Sequence, residues 1–267
     1  MRGSPAFAAG AWLALALLLA FLVLPIVAIF VDVPPGDLFE SLGEPAALDA
    51  LKLSLIATAV ALAIILVVGT PAAYLLGTRE FRGRSLATTL VELPLVLPPA
   101  VAGIGLLAAL GPEGLVGGYL EDAGIELVFQ TAGVIVALVF VASPFYVRQA
   151  QAAFAAVDPD LLAASRTLGA GELRTMLAVA VPAARPGLLS GAALAWGRAL
   201  GEFGATLVFA GSLQEVTQTA PLAIVALFGA DFSGALALSA VLVALSAAIL
   251  IGVRLVSGSG ALGHARA

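Results

Sequence analysis

The sequence predicts an all-α polytopic membrane protein with six transmembrane helices, and three observations predict it. The 267-residue chain is 61% hydrophobic and only 11% charged, with a mean hydropathy of +1.12, where a soluble domain carries roughly 25% charged residues. Six stretches approach or exceed the roughly 20 apolar residues that cross a hydrocarbon core about 30 Å thick. The connectors between them alternate in charge. Those connectors are short enough for one bundle, so residues 1–267 are read as a single transmembrane domain.

The first stretch, Ala11–Val31, follows Arg2 and resembles a signal peptide in its flank. Its apolar run is longer than a signal core and no small-x-small cleavage site precedes Asp32, so it is read as a retained helix. The second, Leu51–Gly77, is long enough to span with tilt. The third, Leu86–Leu110, contains Pro94, Pro98 and Pro99, which remove ladder donors and predict a break where freed carbonyls meet a polar cavity or a neighbouring helix. Thr131–Val147 is the fourth, Pro186–Ala210 the fifth and Ala235–Val256 the sixth.

Charge placement predicts the orientation. Connectors 32–50, 112–130 and 212–234 hold Asp32, Asp37, Glu40, Glu44, Asp49, Glu113, Glu121, Asp122, Glu126, Glu215 and Asp231, with only Lys52 at their edge. The opposite ends hold Arg2, Arg79, Arg82, Arg84, Arg148, Arg166, Arg174, Arg185, Arg254 and Arg266. Basic residues are retained on the cytoplasmic side. Both termini, the 78–85 turn and the 148–185 segment are therefore expected inside a cell (plasma or inner) membrane.

Several chemistries are excluded. With no cysteine there is neither a disulfide nor a thiolate metal site, and no metal ligand set is expected. A phosphate-cradling P-loop needs a Lys, but the sole Lys, Lys52, falls at the outer face, and the sole His, His264, lies in a polar tail. The chain is expected to bind no cofactor and to have no catalytic residues. A net charge of -5 without a basic patch also argues against nucleic-acid binding.

The residues from Asp158 to Gly187 are more elaborate than a connector requires. Asp158 is an N-cap, Pro159 suits the first helical position, and Asp160 favours the positive end of the helix dipole. The expected helix runs to about Leu168 with Gly169 as a left-handed stop, a rod of roughly 15 Å. Leu161, Ser165 and Leu168 would share one face. A second helix, Glu172 to Val181, is expected to stop at Pro182, with Pro186 opening the fifth span. One reading is an amphipathic linker on the lipid surface; the other is a docking element for a soluble motor.

Ala163-Ala164-Ser165-Arg166-Thr167-Leu168-Gly169, followed by Val179-Ala180-Val181-Pro182, resembles the cytoplasmic loop motif of ATP-binding-cassette (ABC) importer permeases. That motif reads Glu-Ala-Ala, three residues, Gly, nine residues, Ile-x-Leu-Pro. Every spacing is met, while Ala163 replaces Glu, Ser165 the second Ala, and Val179 and Val181 the Ile and Leu. The stretches from Glu92 to Gly103, Arg198 to Thr206 and Thr217 to Ile224 resemble permeases of molybdate and tungstate importers. Sulfate and thiosulfate permeases are similar in the same places. The resemblance covers roughly residues 50–255. It implies the type I importer permease fold and a homodimer. It also implies a separate cytoplasmic ABC ATPase, which binds the ATP and Mg, and an extracytoplasmic oxyanion-binding protein. It assigns ATPase coupling to Ala163, Ala164, Ser165, Arg166, Leu168, Gly169 and Pro182, to which the helix-start reading adds the cap, Asp158.

Glu92, Arg198 and Glu202 are the charges expected inside spans, where each costs about 2.5–3.5 kcal/mol at mid-bilayer, so they must face protein or water. Arg198 and Glu202 are four apart and can pair. Either the pair holds the bundle together or, with Glu92, Pro94, Pro98, Pro99, Gly201 and Gly204, it lines or gates a pathway, Gly197, Gly201 and Gly204 allowing close helix approach. The eleven outer carboxylates would repel a free dianion, which favours delivery by a docked carrier. A stand-alone secondary transporter or channel is the rival from another class; it lacks visible inverted repeats.

Overall fold

The computed structural model describes residues 5–33, 36 and 43–261. Asp37, Glu40, the terminal Arg2, His264 and Arg266, and the side chain of Arg254 lie outside that description. Among the described residues the regular structure is entirely helical. Among these residues five helices are long and apolar enough to cross a membrane, and six spans result if one bent pair counts as one.

Helix α1 (Pro5–Val31) is apolar on all sides and, from Phe7 on, exposed at every position but Ile29, which is half-buried. Helix α2 (Pro45–Thr78) starts with proline in its first turn. The stretch expected as the third span is two helices, α3 (Arg84–Val96) and α4 (Pro99–Leu110), bent by 117°, the geometry of a broken span or a re-entrant turn. The cause is local. Pro98 and Pro99 have no N–H to give the carbonyls of Pro94 and Leu95, and residues that precede proline avoid the helical region. Leu97 (φ -73, ψ 131) and Pro98 (φ -54, ψ 137) accordingly run extended. After the short α5 (Gly117–Asp122), α6 (Thr131–Ala155) continues eight residues past the expected end at Val147 and carries Arg148 on the helix.

Helix α7 (Pro159–Thr167) is the predicted rod. Helix α8 (Glu172–Thr175) passes into a π-helical stretch, Met176–Ala180, and then into α9 (Val181–Leu200). Here the expected stop at Pro182 is wrong. Pro182 sits in the first turn of α9, where a missing N–H is tolerated, and the Val181 N–H reaches back to the Met176 carbonyl to carry the chain through. The fifth span is therefore Glu172–Leu200, earlier than the predicted Pro186–Ala210. It ends at Gly201, and Gly204–Ala210 forms a separate short helix, α10. Helices α11 (Ala220–Phe228) and α12 (Phe232–Ala261) complete the chain.

The core lies where α2, α6 and α9 pack together, with Ala57, Ala61, Leu138, Ala142, Tyr146 and Ala195 buried between them. Small residues let the helices approach, and interhelical hydrogen bonds fix their register. Ser54 Oγ accepts from the Ala220 N–H at 2.7 Å, Trp196 Nε1 donates to Thr58 Oγ1 at 3.0 Å, and Thr70 and Tyr146 hydroxyls lie 2.7 Å apart. A second cluster joins α4, α6 and α10 around Ala102, Leu106, Ala205 and Phe209. Its closest approaches need glycine. A Cβ on Gly204 would meet Pro99 Cβ at 2.7 Å, and one on Gly103 would meet Val208 Cβ at 2.7 Å.

Candidate functional site

At the end of the bundle that carries the arginines, α7 is held by both of its faces. Asp158 Oδ1 accepts the Asp160 N–H at 2.9 Å, the cap the sequence predicts. Leu162 is buried in the main core, which fixes one side of the rod. The face expected for Leu161, Ser165 and Leu168 divides: Ser165 Oγ lies 3.1 Å from Thr175 Oγ1, while Leu161 and Leu168 are exposed. Ala163 and Ala164 are also exposed. Gly169 terminates the helix at φ +83 with open space around it. Leu168, 88% exposed, stands beside it as an apolar tip that the described residues leave uncovered.

Arg166 turns inward. Its Nε donates to Glu172 Oε1 at 2.8 Å, and Arg79 Nη2 reaches the same oxygen at 2.5 Å. Arg166 Nη2 and Glu172 Oε2 each lie 3.4 Å from the Tyr74 hydroxyl. Hydrogen bonding to Glu172 raises the Arg166 pKa above its ordinary value. One carboxylate thus ties the rod (Arg166), the end of α2 (Tyr74) and the turn after it (Arg79) together. Glu172 is a residue that sequence reasoning missed. Its signal was available: it is the single carboxylate between Leu161 and Gly201, a stretch with four arginines.

The predicted pathway residues converge only in part. Pro94, Leu97, Pro99, Val141, Phe145 and Arg198 line a cavity of about 150 Å³ beside the break between α3 and α4. Arg198 Nη2 lies 2.5 Å from Glu202 Oε2, and Glu202 is 1% exposed. Its other oxygen accepts the Ala205 N–H at 2.7 Å, which supplies a first-turn acceptor for α10. Gly204 packs on Pro99 as described. Glu92 stands apart from this group, 3.5 Å from Arg148 Nε on α6. Among the described residues Gly197 and Gly201 show no close approach to another helix: nothing outside its own helix backbone lies within 4 Å of a Cβ on Gly197, and for Gly201 the nearest atom is the Gly197 carbonyl oxygen at 3.7 Å. Gly103, unremarked as a contact in the sequence, takes that role with Gly204.

Residues 69–258 match the family described as binding-protein-dependent transport system inner membrane component. The chain belongs to that permease family. Among its relatives, the molybdenum transport system permease protein ModB of Mycobacterium tuberculosis is 40% identical over 235 residues, covering 88% of this chain and 89% of ModB. The probable sulfate transport system permease protein cysT of Chlorokybus atmophyticus is 32% identical over 248 residues, covering 91% and 87%. A chain in the crystal structure of a bacterial ABC transporter for import of the acidic polysaccharide alginate superposes with a TM-score of 0.77 at 16% identity, over 95% of both chains. That likeness establishes the fold as the permease fold of type I ABC importers, as the sequence resemblance implied.

Within the connector 212–234, the start of the Thr217 to Ile224 stretch forms a buried polar strip. Thr217, Gln218 and Thr219 are buried. Thr217 Oγ1 accepts the Leu213 N–H at 2.9 Å and Gln218 Nε2 donates to Ser212 Oγ at 3.2 Å. This polar strip leads directly into α11, whose first N–H is taken by Ser54 of α2.

Proposed function

We propose that this chain is the translocation subunit of an ATP-driven importer of a tetrahedral oxyanion, with molybdate or tungstate as the substrate and sulfate as the runner-up of the same class. It acts as one membrane domain over residues 1–267, in a homodimer, with both termini and the 148–185 segment in the cytoplasm. The ATPase is a separate subunit that carries the ATP and Mg, and a carrier protein outside the membrane delivers the anion. The observation that carries the substrate reading is the higher identity to the molybdenum permease than to the sulfate permease, 40% against 32%, over comparable lengths.

The geometry supports the division of labour. The rod α7 ends in exposed Leu168 and a left-handed Gly169, a protruding surface for the motor, with Asp158, Ala163, Ala164, Ser165 and Arg166 along it. Pro182 belongs to the first turn of α9 and acts in the link from rod to span. Arg198 supplies a cation to an otherwise apolar cavity between α3 and α4 that Pro94 and Pro99 also line; Glu202 pairs with it, Gly204 packs on Pro99, and Pro98, Gly201 and, farther along α3, Glu92 complete the proposed pathway. The carboxylates on the outer connectors meet basic residues on a docked carrier more readily than they meet a free dianion.

The test is reconstitution with the candidate ATPase and carrier, measuring ATP hydrolysis with molybdate, tungstate and sulfate. Molybdate and tungstate should stimulate and sulfate should not. Stimulation by sulfate alone would move the substrate to sulfate. A flat response to all three, together with anion uptake by the permease alone, would favour the stand-alone transporter.

A further inference from the structure

Arg198 and Glu202 are unequal partners. Among the described residues Arg198 contributes the only charged side chain lining the cavity beside the α3–α4 break, and its side chain is 26% exposed, while that of Glu202 is 1% exposed. The carboxylate therefore sits behind the guanidinium. Its Oε1 is committed to the Ala205 N–H. Its Oε2 lies 2.5 Å from Arg198 Nη2 but has no partner in hydrogen-bond geometry, so charge attraction holds that oxygen.

A pair built for rigidity would be a two-pronged Arg–carboxylate fork with every lone pair satisfied. This one makes a single contact at one edge of the guanidinium, which has five N–H donors in all. The cavity, at about 150 Å³, holds far more than the single water for which roughly 10–15 Å³ suffices. Arginine is also the side chain whose planar fork matches a tetrahedral or planar oxyanion. Resting on the oxyanion reading above, we propose that Arg198 is the group that contacts the transported anion, and that Glu202 is a tethered carboxylate that occupies Arg198 between transport events.

The anion takes over the guanidinium, and Glu202 keeps its bond to the Ala205 N–H. The pathway is thereby never left with an uncompensated cation at membrane depth, which is costly. The same tether sets the affinity. A site that is free for only a fraction of the time binds more weakly by that fraction, so a pair closed about ten times as often as open weakens binding about tenfold.

The experiment measures equilibrium binding of molybdate to the purified permease–ATPase complex, with assembly checked by size-exclusion chromatography. Glu202→Gln keeps the side-chain volume and an acceptor for Ala205 but removes the competing charge; it should bind molybdate about tenfold more tightly than wild type. The double variant Arg198→Met with Glu202→Gln should assemble and bind none. Unchanged, weaker or undetectable binding by an assembled Glu202→Gln complex overturns the proposal, as does wild-type binding by the double variant, which would make the pair structural. Glu202→Asp, which withdraws the charge from Arg198 by one methylene, is read by the same assay and should also bind more tightly. Failure of the oxyanion reading looks different: the wild-type complex itself would show no oxyanion-stimulated ATP hydrolysis with its carrier.

Discussion

Replacing Gly169 separates a backbone requirement from a contact requirement at the tip of the rod. Gly169 has φ +83, and an added Cβ would meet nothing within 4 Å, so a side chain there is penalised only by its own backbone. For an ordinary L-residue that penalty is about 1–2 kcal/mol, and valine lies at the upper end because its Cβ is branched. The helix that would have to rearrange is short. Nine residues are held by the Asp158 cap, by burial of Leu162 and by Arg166 on Glu172, so strain of this size displaces Leu168 and the helix end rather than unfolding the protein. Gly169→Val should therefore leave the thermal stability of the permease within a few degrees of wild type. In the reconstituted complex it should reduce substrate-stimulated ATP hydrolysis by roughly five- to thirtyfold, the population shift equivalent to that strain. Gly169→Asn is the control, because asparagine tolerates the left-handed region; it should retain most of the coupling. Full stimulation in Gly169→Val would refute the docking role of this turn. Equal loss in both variants would show that glycine is needed for surface contact and not for its dihedral angle.

Gly204→Val should strain the joint between α4 and α10, since even the first added carbon would lie 2.7 Å from Pro99 Cβ; overpacking of this kind costs about 1–3 kcal/mol, and a lowered melting temperature in detergent with reduced uptake is the expected result, while wild-type melting would show that the joint is loose. Ala163→Glu restores the residue usual in the permease motif at an exposed position. It should tighten ATPase binding in a salt-dependent way, because an exposed charge contact is screened, and titration of the ATPase onto the permease at low and high salt checks it.

The residues differ sharply in how far the sequence disclosed them. The rod was legible because Asp158, Pro159 and Gly169 are local signals: each acts on its own turn, and the cap and the positive φ appear where those residues stand. The break in the third span was legible for the same reason, in three prolines. The stop at Pro182 was misread because proline obstructs a helix interior but not a first turn, and the π-helical stretch that makes Val181 the start of a new helix has no sequence signature of its own. The end of the fifth span is marked locally, by Gly201 after Leu200 and by Glu202 accepting the Ala205 N–H, whereas the packing of Gly204 against Pro99 is a tertiary contact that no local signal announces. Arg198 and Glu202 were found because four-residue spacing and apolar surroundings make a charged pair conspicuous. Glu172 was missed because, besides the nearby Arg166, its partners Tyr74 and Arg79 lie more than 90 residues away, and only the fold brings those two to it.

Helix α2 offers a physical route between the two ends of the molecule. Its Tyr74–Arg79 end is bound to Arg166 of the rod, directly from Tyr74 and through Glu172. Thr70 meets Tyr146 of α6, and farther along Thr58 accepts from Trp196, two residues before Arg198. From position 58 to 78 a helix rises about 30 Å, so a tilt imposed at the rod moves the contact beside Arg198 if α2 is stiff. Intermediacy alone is weak evidence for transmission, and a double-mutant cycle decides. Glu172→Gln removes a half-exposed charge shared by Arg79 and Arg166, a loss of about 1 kcal/mol at most for such pairs. Trp196→Phe removes the hydrogen bond to Thr58, about 0.6 kcal/mol on average inside a membrane. Sites this far apart are additive within about 0.3–0.5 kcal/mol when independent. Measured on stimulated ATP hydrolysis, the two substitutions should be non-additive by more than that margin. Additive effects would mean that the rod and the Arg198 cavity communicate by a path other than α2, with the span Glu172–Leu200, which connects them covalently, left as the carrier of the motion.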